Sequence, residues 1–355
     1  MGHPELDSDD RSRPYTPSAP TRSPMSRILV PRPASITARF ALALGFLASF
    51  CVTRGVTAEV PAWAYPVVAP GAAPIPDDGT VHHVPDSPVG FTRTQFTALA
   101  GTVPDWHPAE HPDMPDIVAR GRPPTVFACG YCHLPTGTGR PENASIAGLP
   151  VNYFRNQMLA FKQGHRSGSE PRRMPQTVMI AIAKAVTDAE VEAAAAYFAG
   201  LKPVAFHRII ETHRVPKTVI AGWTFKVSDE GGSEELGARI LELPEDFERF
   251  ERRDTRIPYL IHVPWGSLQR GAALAATGGG GRTVACLTCH GPDLRGLADV
   301  PRIAGRSPSF LMRQLVDLKL GTRTGGTAEL MKPVVANLTE QDMVDLVAYL
   351  ASLNP

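Results

Sequence analysis

The chain has 355 residues, which leaves room for two or three domains. Pro (35) and Gly (31) are both abundant, favouring turns and linkers over one large continuous sheet. A formal charge of +1 excludes the strongly basic balance of a nucleic-acid binder.

In chain order, residues 1–24 carry almost no large apolar side chains and read as disordered. Arg27, Arg32 and Arg39 then precede ALALGFLASFCV at 41–52, the layout of a secretory signal, with small residues at Val56-Thr57-Ala58 for cleavage. The apolar run falls short of the roughly 20 residues of a spanning helix. Export to the periplasm with residues 1–58 removed is therefore expected, with translation starting at Met25. Membrane association through an uncleaved N-terminal segment is the alternative. Phe50, just before Cys51, counts against a lipoprotein. Cleavage after Ala58 removes seven basic and four acidic residues, leaving a net charge of about −2. Residues 59–112 form a Pro-rich arm, in which PVVAPGAAPIPDDG (66–79) reads as extended.

Two pentapeptides follow, CGYCH at 129–133 and CLTCH at 286–290, 157 positions apart. They hold four of the five cysteines and leave no mature pair for a structural disulfide. The same offset lays IAGLPVNYFRNQMLAFKQGHR (146–166) over IAGRSPSFLMRQLVDLKLGTR (303–323) without a gap, and IVARGRPPTVFAC over LAATGGGGRTVAC. The first copy has five extra residues after Arg166, and then VTDAEVEAAAAYFAGL (186–201) matches LTEQDMVDLVAYLASL (338–353). Such self-similarity marks a duplicated unit. Thr187 with Glu190, and Thr339 with Asp342, predict capping boxes opening a helix in each copy. Apolar residues then recur at helical spacing, with Tyr197 and Tyr349 equivalent. Residues 113–203 and 267–355 each read as helix, CxxCH, loop, helix, loop, helix. Between them, 204–266 differs in character. TVIAGWTFKV (218–227) alternates as a strand does, and GSEELGARILELPEDFERFERRD is charged and partly helical.

Cys-x-x-Cys-His is a signature of covalent haem attachment: two thiols on one face of a helical turn, and the next residue presenting imidazole to iron. Cys129, Cys132, Cys286 and Cys289 are thus expected to hold two haem c groups, with His133 and His290 as iron ligands. Paired CxxC motifs also build zinc sites, but each pair here carries its own His inside its own repeat. A thioredoxin-like redox pair would need a βαβ pattern that surrounds neither motif.

On these motifs, residues 113–203 and 267–355 resemble the di-haem cytochromes c of the cytochrome c-four group. The resemblance implies an all-α fold of two tandem class I cytochrome c domains, joined by the connecting segment with some β-strand. It also implies a methionine opposite each histidine, several residues before the terminal helix. In the second copy that is Met331, seven residues before Leu338. The first copy offers Met179, seven residues before Val186, and Met174, which is equivalent if the five-residue insertion follows the ligand. The spacing favours Met179. PRIAG (301–305) matches the family pattern in which a proline carbonyl accepts a hydrogen bond from the haem histidine; Ala144 stands there in the first copy. Arg166 and Arg323 are candidate partners of haem propionates, or else solvated surface arginines. His107, His111, His165, His207, His213 and His262 have no counterpart in the other copy and read as structural or exposed.

The resemblance implies a carrier of single electrons in a periplasmic respiratory or dehydrogenase-linked chain. Its redox protein partners would be a dehydrogenase, a quinol-oxidising complex or a terminal oxidase. Nothing in the repeats supplies an acid–base pair beside a substrate pocket, so an electron-transfer protein is expected rather than an enzyme. The alternatives are a cytochrome subunit docked to a dehydrogenase through the connecting segment around Trp223, or a di-haem oxidoreductase like the thiosulfate dehydrogenases or peroxidases. Some of the former use a cysteine as axial ligand, and no mature cysteine stands outside CxxCH. The copies are unequal, so their potentials should differ.

Overall fold

The computed structural model describes residues 60–68 and 75–355. The signal-like stretch at 41–52, Cys51 and the middle of the 66–79 segment lie outside the described residues. Helices dominate the described chain, and strands gather in the connecting segment.

Helices Asp188–Gly200 and Glu340–Ser352 begin where the capping pattern puts them. Thr187 Oγ1 accepts from the Glu190 amide at 3.2 Å, and Glu190 accepts from the Thr187 amide at 2.8 Å. Thr339 and Asp342 repeat this at 3.1 and 3.0 Å. A cap of this kind contributes about 1 kcal/mol. The rest of the first copy is built from Asp116–Ala119, Cys129–His133, Val151–Lys162 and Met174–Ala185. The second has Ser267–Thr277, Leu287–His290, Pro308–Lys319, and a 3-10 turn Gly326–Met331 running into Lys332–Val335. Its terminal helix buries Met343, Val344, Leu346, Val347 and Leu350. That helix crosses Ser267–Thr277 so closely that a Cβ on Gly271 would lie 2.0 Å from the Asp345 carbonyl oxygen.

The two copies meet about a pseudo-twofold relation that the 157-residue offset makes visible. Arg166 donates to Gln157 of its own copy at 3.1 Å and to Gln314 of the other at 2.7 Å. Arg323 donates to Gln314 at 3.1 Å and to Gln157 at 3.1 Å, and also to the Tyr153 hydroxyl. The backbones of Arg166 and Arg323 form an antiparallel bridge, flanked by Ser167 N–H to the Thr322 carbonyl at 2.9 Å and Thr324 N–H to the His165 carbonyl at 2.7 Å.

In the connecting segment, His207–Glu211 pairs in parallel with Tyr259–Val263, which pairs antiparallel with Leu241–Pro244. Tyr259, Ile261 and Val263 enter the core of the second copy. The 218–227 stretch is a hairpin rather than one strand: Thr218–Ala221 pairs with Thr224–Val227. Gly222, at φ +59, takes the first position of a two-residue loop, a conformation open to glycine. Of the charged stretch, Phe247–Glu251 is helical, and Ser233–Glu235 and Leu241–Pro244 are strands. The arm is more folded than its proline content suggests. Val84, Phe96 and Trp106 form a small core, and the Trp106 indole donates to the Arg252 carbonyl at 2.6 Å. Tyr65 donates its hydroxyl to Asp317 at 2.8 Å, tying the start of the arm to the second copy.

Burial pushes the His207 imidazole from its ordinary 6.5 down to about 4. The unfolded chain binds a proton there more readily than the folded one, so this contribution is complete above about 6.5 and is lost as pH falls toward 4. His207→Gln should flatten the acid limb of the urea midpoint plotted against pH across that window. An unchanged slope would rule His207 out as its source.

Candidate functional site

Cys129–His133 forms a single helical turn, and the equivalent turn in the second copy is Leu287–His290, preceded by Cys286. None of these four cysteines is in a disulfide. His133 Nδ1 lies 2.8 Å from the Ala144 carbonyl oxygen, and His290 Nδ1 lies 2.8 Å from that of Pro301. A carbonyl can only accept, so each Nδ1 carries the proton and each Nε2 keeps its lone pair for a metal. The orienting bond needs no proline: Ala144 supplies it in the first copy as Pro301 does in the second. Burial is the first cause holding both imidazoles below their usual range, which keeps them neutral. Burial likewise pushes the Cys129 thiol up to about 12 and that of Cys286 up to about 11. Reactive redox cysteines show the opposite shift. Nor do the pairs build a zinc site: they sit in separate copies, and among the described residues no three His, Cys, Asp or Glu side chains group to hold a metal ion.

The first turn opens onto a cavity of about 500 Å³ whose apolar wall includes Leu149, Phe154, Met158 and Ile182. Such a volume suits a sizeable organic cofactor. Met174 and Met179 both line it. Met174 opens its helix and is 55 % exposed, whereas Met179 packs against the core of the first copy. Met331 ends its 3-10 turn and packs against the core of the second. Cationic side chains complete the cavity. Burial, and then the neighbouring Arg323, push the Arg166 guanidinium down to about 9; burial sets Arg306 to about 10. Arg306 Nε and Arg323 Nε are buried without a hydrogen-bond partner. Two thiols, an imidazole with a free Nε2, an apolar wall, methionine sulfur and unsatisfied cationic donors fit a haem with its two carboxylates. Of the two arginines foreseen at this place, Arg166 is buried and lines the cavity, whereas Arg323 is half-buried and reaches Arg166's partners Gln157 and Gln314.

The copies differ most in what covers the CxxCH turn. Tyr131 is buried, with its hydroxyl donating to the Thr97 carbonyl at 2.7 Å and Arg253 stacked over its ring at 3.6 Å. Ala221, Gly222 and Trp223 of the hairpin, with Phe247 and Phe250, form part of the cavity wall. In the second copy Thr288 and Cys289 are exposed. These covering residues lie outside the repeat, so aligning one copy on the other cannot find them. Pro135, four residues after Tyr131 and without an N–H to offer its carbonyl, was the available signal. Of the remaining histidines, His107 meets Asp254 at 3.2 Å and His111 meets Asp105 at 3.1 Å, while His165 and His213 are exposed.

A family model described as cytochrome c matches residues 268–354. Cytochrome c-554(548) of Halomonas halodenitrificans is 38% identical over 68 residues, which are 19% of this chain and 82% of that protein. The chain belongs to the cytochrome c family. Its cofactor is accordingly covalently attached haem c. Cytochrome c4 of Azotobacter vinelandii is 37% identical to this cytochrome over 91 residues, 24% of this chain and 43% of that protein. The match thus spans less than half the length of that relative. A thiosulfate dehydrogenase electron acceptor of Thiomonas intermedia is 26% identical over 233 residues, 65% of this chain and 80% of that protein.

Proposed function

We propose that this cytochrome is a di-haem carrier of single electrons that works outside the cytoplasm. The observation that carries the reading is the duplicated histidine geometry: each CxxCH imidazole is oriented by a carbonyl at the same distance of 2.8 Å. Cys129 and Cys132 would hold one haem and Cys286 and Cys289 the other, within two tandem class I domains at 113–203 and 267–355. Haem iron supplies one-electron chemistry by moving between its ferrous and ferric forms. The protein's own part is to position and insulate. His133 and His290 donate from Nδ1 and present Nε2; the apolar walls exclude water; Arg166, Arg306 and Arg323 offer donors for the cofactor's carboxylates.

The signal-like sequence pattern at 41–52 supports a periplasmic location. Among the described residues no helix is long and apolar enough to cross a membrane. The name of the Thiomonas relative supports a dehydrogenase as electron donor. The number of covalent haems per chain, read from a pyridine haemochrome spectrum, tests the proposal: two support it, and none ends it.

Methionine ligation has its own test. Met331→Ala should remove the near-infrared sulfur–iron band of one haem, and Met179→Ala that of the other. The packing of Met179 against the core and the exposure of Met174 support Met179. Loss of the first-copy band in Met174→Ala, with the band kept in Met179→Ala, would reverse the assignment.

A further inference from the structure

The Tyr131 carbonyl lies in the last turn of Cys129–His133, where helix carbonyls lack a partner within the helix, and the residue four positions on cannot supply one. That residue is Pro135, which has no N–H. Arg253 fills the gap, donating from Nη1 to the Tyr131 oxygen at 2.9 Å. Its Nε reaches the Phe96 carbonyl at 3.3 Å, and its guanidinium carbon lies 3.6 Å from the centroid of the Tyr131 ring. To do so Arg253 adopts a left-handed backbone, φ +62, which a non-glycine residue keeps where its surroundings impose it. The second copy has the same deficit, because Pro292 stands four residues after Thr288. There the turn is exposed, and water can serve the carbonyl. One chemical gap is therefore closed by a cation in the first copy and left to solvent in the second.

Arg253 also lines the cavity beside Cys132. Both of its hydrogen bonds above end on neutral carbonyl oxygens, whereas neighbouring Arg140 meets Glu142 at 3.2 Å. The Arg253 guanidinium is held on the attachment turn itself, 3.6 Å from the Tyr131 ring centroid and 2.9 Å from the Tyr131 carbonyl oxygen, so its charge stands beside the attachment point. We infer that Arg253 is a positioning residue for the first haem turn and supplies the uncompensated positive charge that raises the potential of the first haem above what its ligands alone would set. A cation in a poorly screened site favours the iron state with one positive charge fewer, which is the reduced one. Arg253 can act this way only if CGYCH holds a haem, so the inference rests on the function proposed above.

The test uses the full haem-loaded chain. Arg253→Gln retains a donor for the Tyr131 carbonyl and removes the charge; Arg253→Lys retains the charge. Each is scored for haem per chain and thermal midpoint, then titrated optically against potential. A Met331→His background moves the second haem's wave and so assigns the two. In Arg253→Gln the first haem's reduced-to-oxidised ratio at fixed potential should fall on the order of tenfold, with the second wave unmoved. Arg253→Lys should stay near the parent. An unmoved first wave in Arg253→Gln, an equal fall in both variants, or an equal shift of both waves overturns the inference. Absence of haem from a chain whose Cys286 and Cys289 are both serine would instead remove the proposed function beneath it.

Discussion

A chain carrying Cys286→Ser and Cys289→Ser should hold one covalent haem where the parent holds two. Serine hydroxyls form no thioether, and the first pair lies in its own cavity, so loss at one turn does not remove attachment at the other. The effect on the second copy extends beyond the cofactor. Cys286 and Leu287 pack against its main hydrophobic core, and His290 is buried beside them. With no haem bonded there, the apolar surfaces built to contact it would face water, at roughly 25 cal/mol per Å². Haem stoichiometry should halve and the second copy should melt earlier, as followed by circular dichroism. Two haems surviving on the denatured chain would end the reading of CLTCH as an attachment site.

Gly271→Val should disable the second copy by packing alone. Its Cβ would meet the Asp345 carbonyl oxygen at 2.0 Å, and both the Asp345 carbonyl carbon and Tyr349 Cβ at 2.7 Å. Two of these atoms are backbone of the facing helix and cannot swing aside, so the helices Ser267–Thr277 and Glu340–Ser352 must separate along their crossing. Overpacking a core typically costs about 1–3 kcal/mol, and a backbone clash with valine's branched side chain belongs at or above the top of that range. Gly200 makes the contrast. It ends helix Asp188–Gly200, and an added Cβ would meet nothing within 4 Å. Gly200→Ala should be neutral or stabilise by about 0.5–1 kcal/mol. Thermal midpoints of the two variants decide the matter; equal midpoints would mean that the close crossing does not limit stability.

What the sequence made legible follows from which interactions are local or repeated. The terminal helices could be read because a capping box lies within four residues and an apolar stripe within three turns. The CxxCH turns could be read because the second copy checks the first, whereas Met331 was singled out by the family pattern and its spacing to Leu338. Met174 and Met179 were narrowed by spacing, and their difference in exposure emerges only when the helix Met174–Ala185 is seen to begin at Met174. Arg166 and Arg323 were visible as equivalent residues, but their cross-bonding to Gln314 and Gln157 depends on how the copies meet. The hairpin at 218–227 read as one strand because apolar residues alternate straight through its turn, and Gly222 alone marks the reversal. Arg253 was hidden in a run of charges with no repeat to compare against, and its contact with Tyr131 spans 122 residues of chain.

That span has a consequence for biogenesis. The first attachment turn is closed by a residue made 34 positions earlier, Thr97, and by one made 122 positions later, Arg253. Once both have docked on Tyr131, the turn that carries Cys129 and Cys132 is covered from the arm on one side and the connecting segment on the other. Attachment at CGYCH is therefore expected before the connecting segment docks on this turn, and a chain ending before residue 204 should still take up haem there. At CLTCH, Thr288 and Cys289 stay exposed in the finished fold, so attachment there is expected to depend less on when the connecting segment docks.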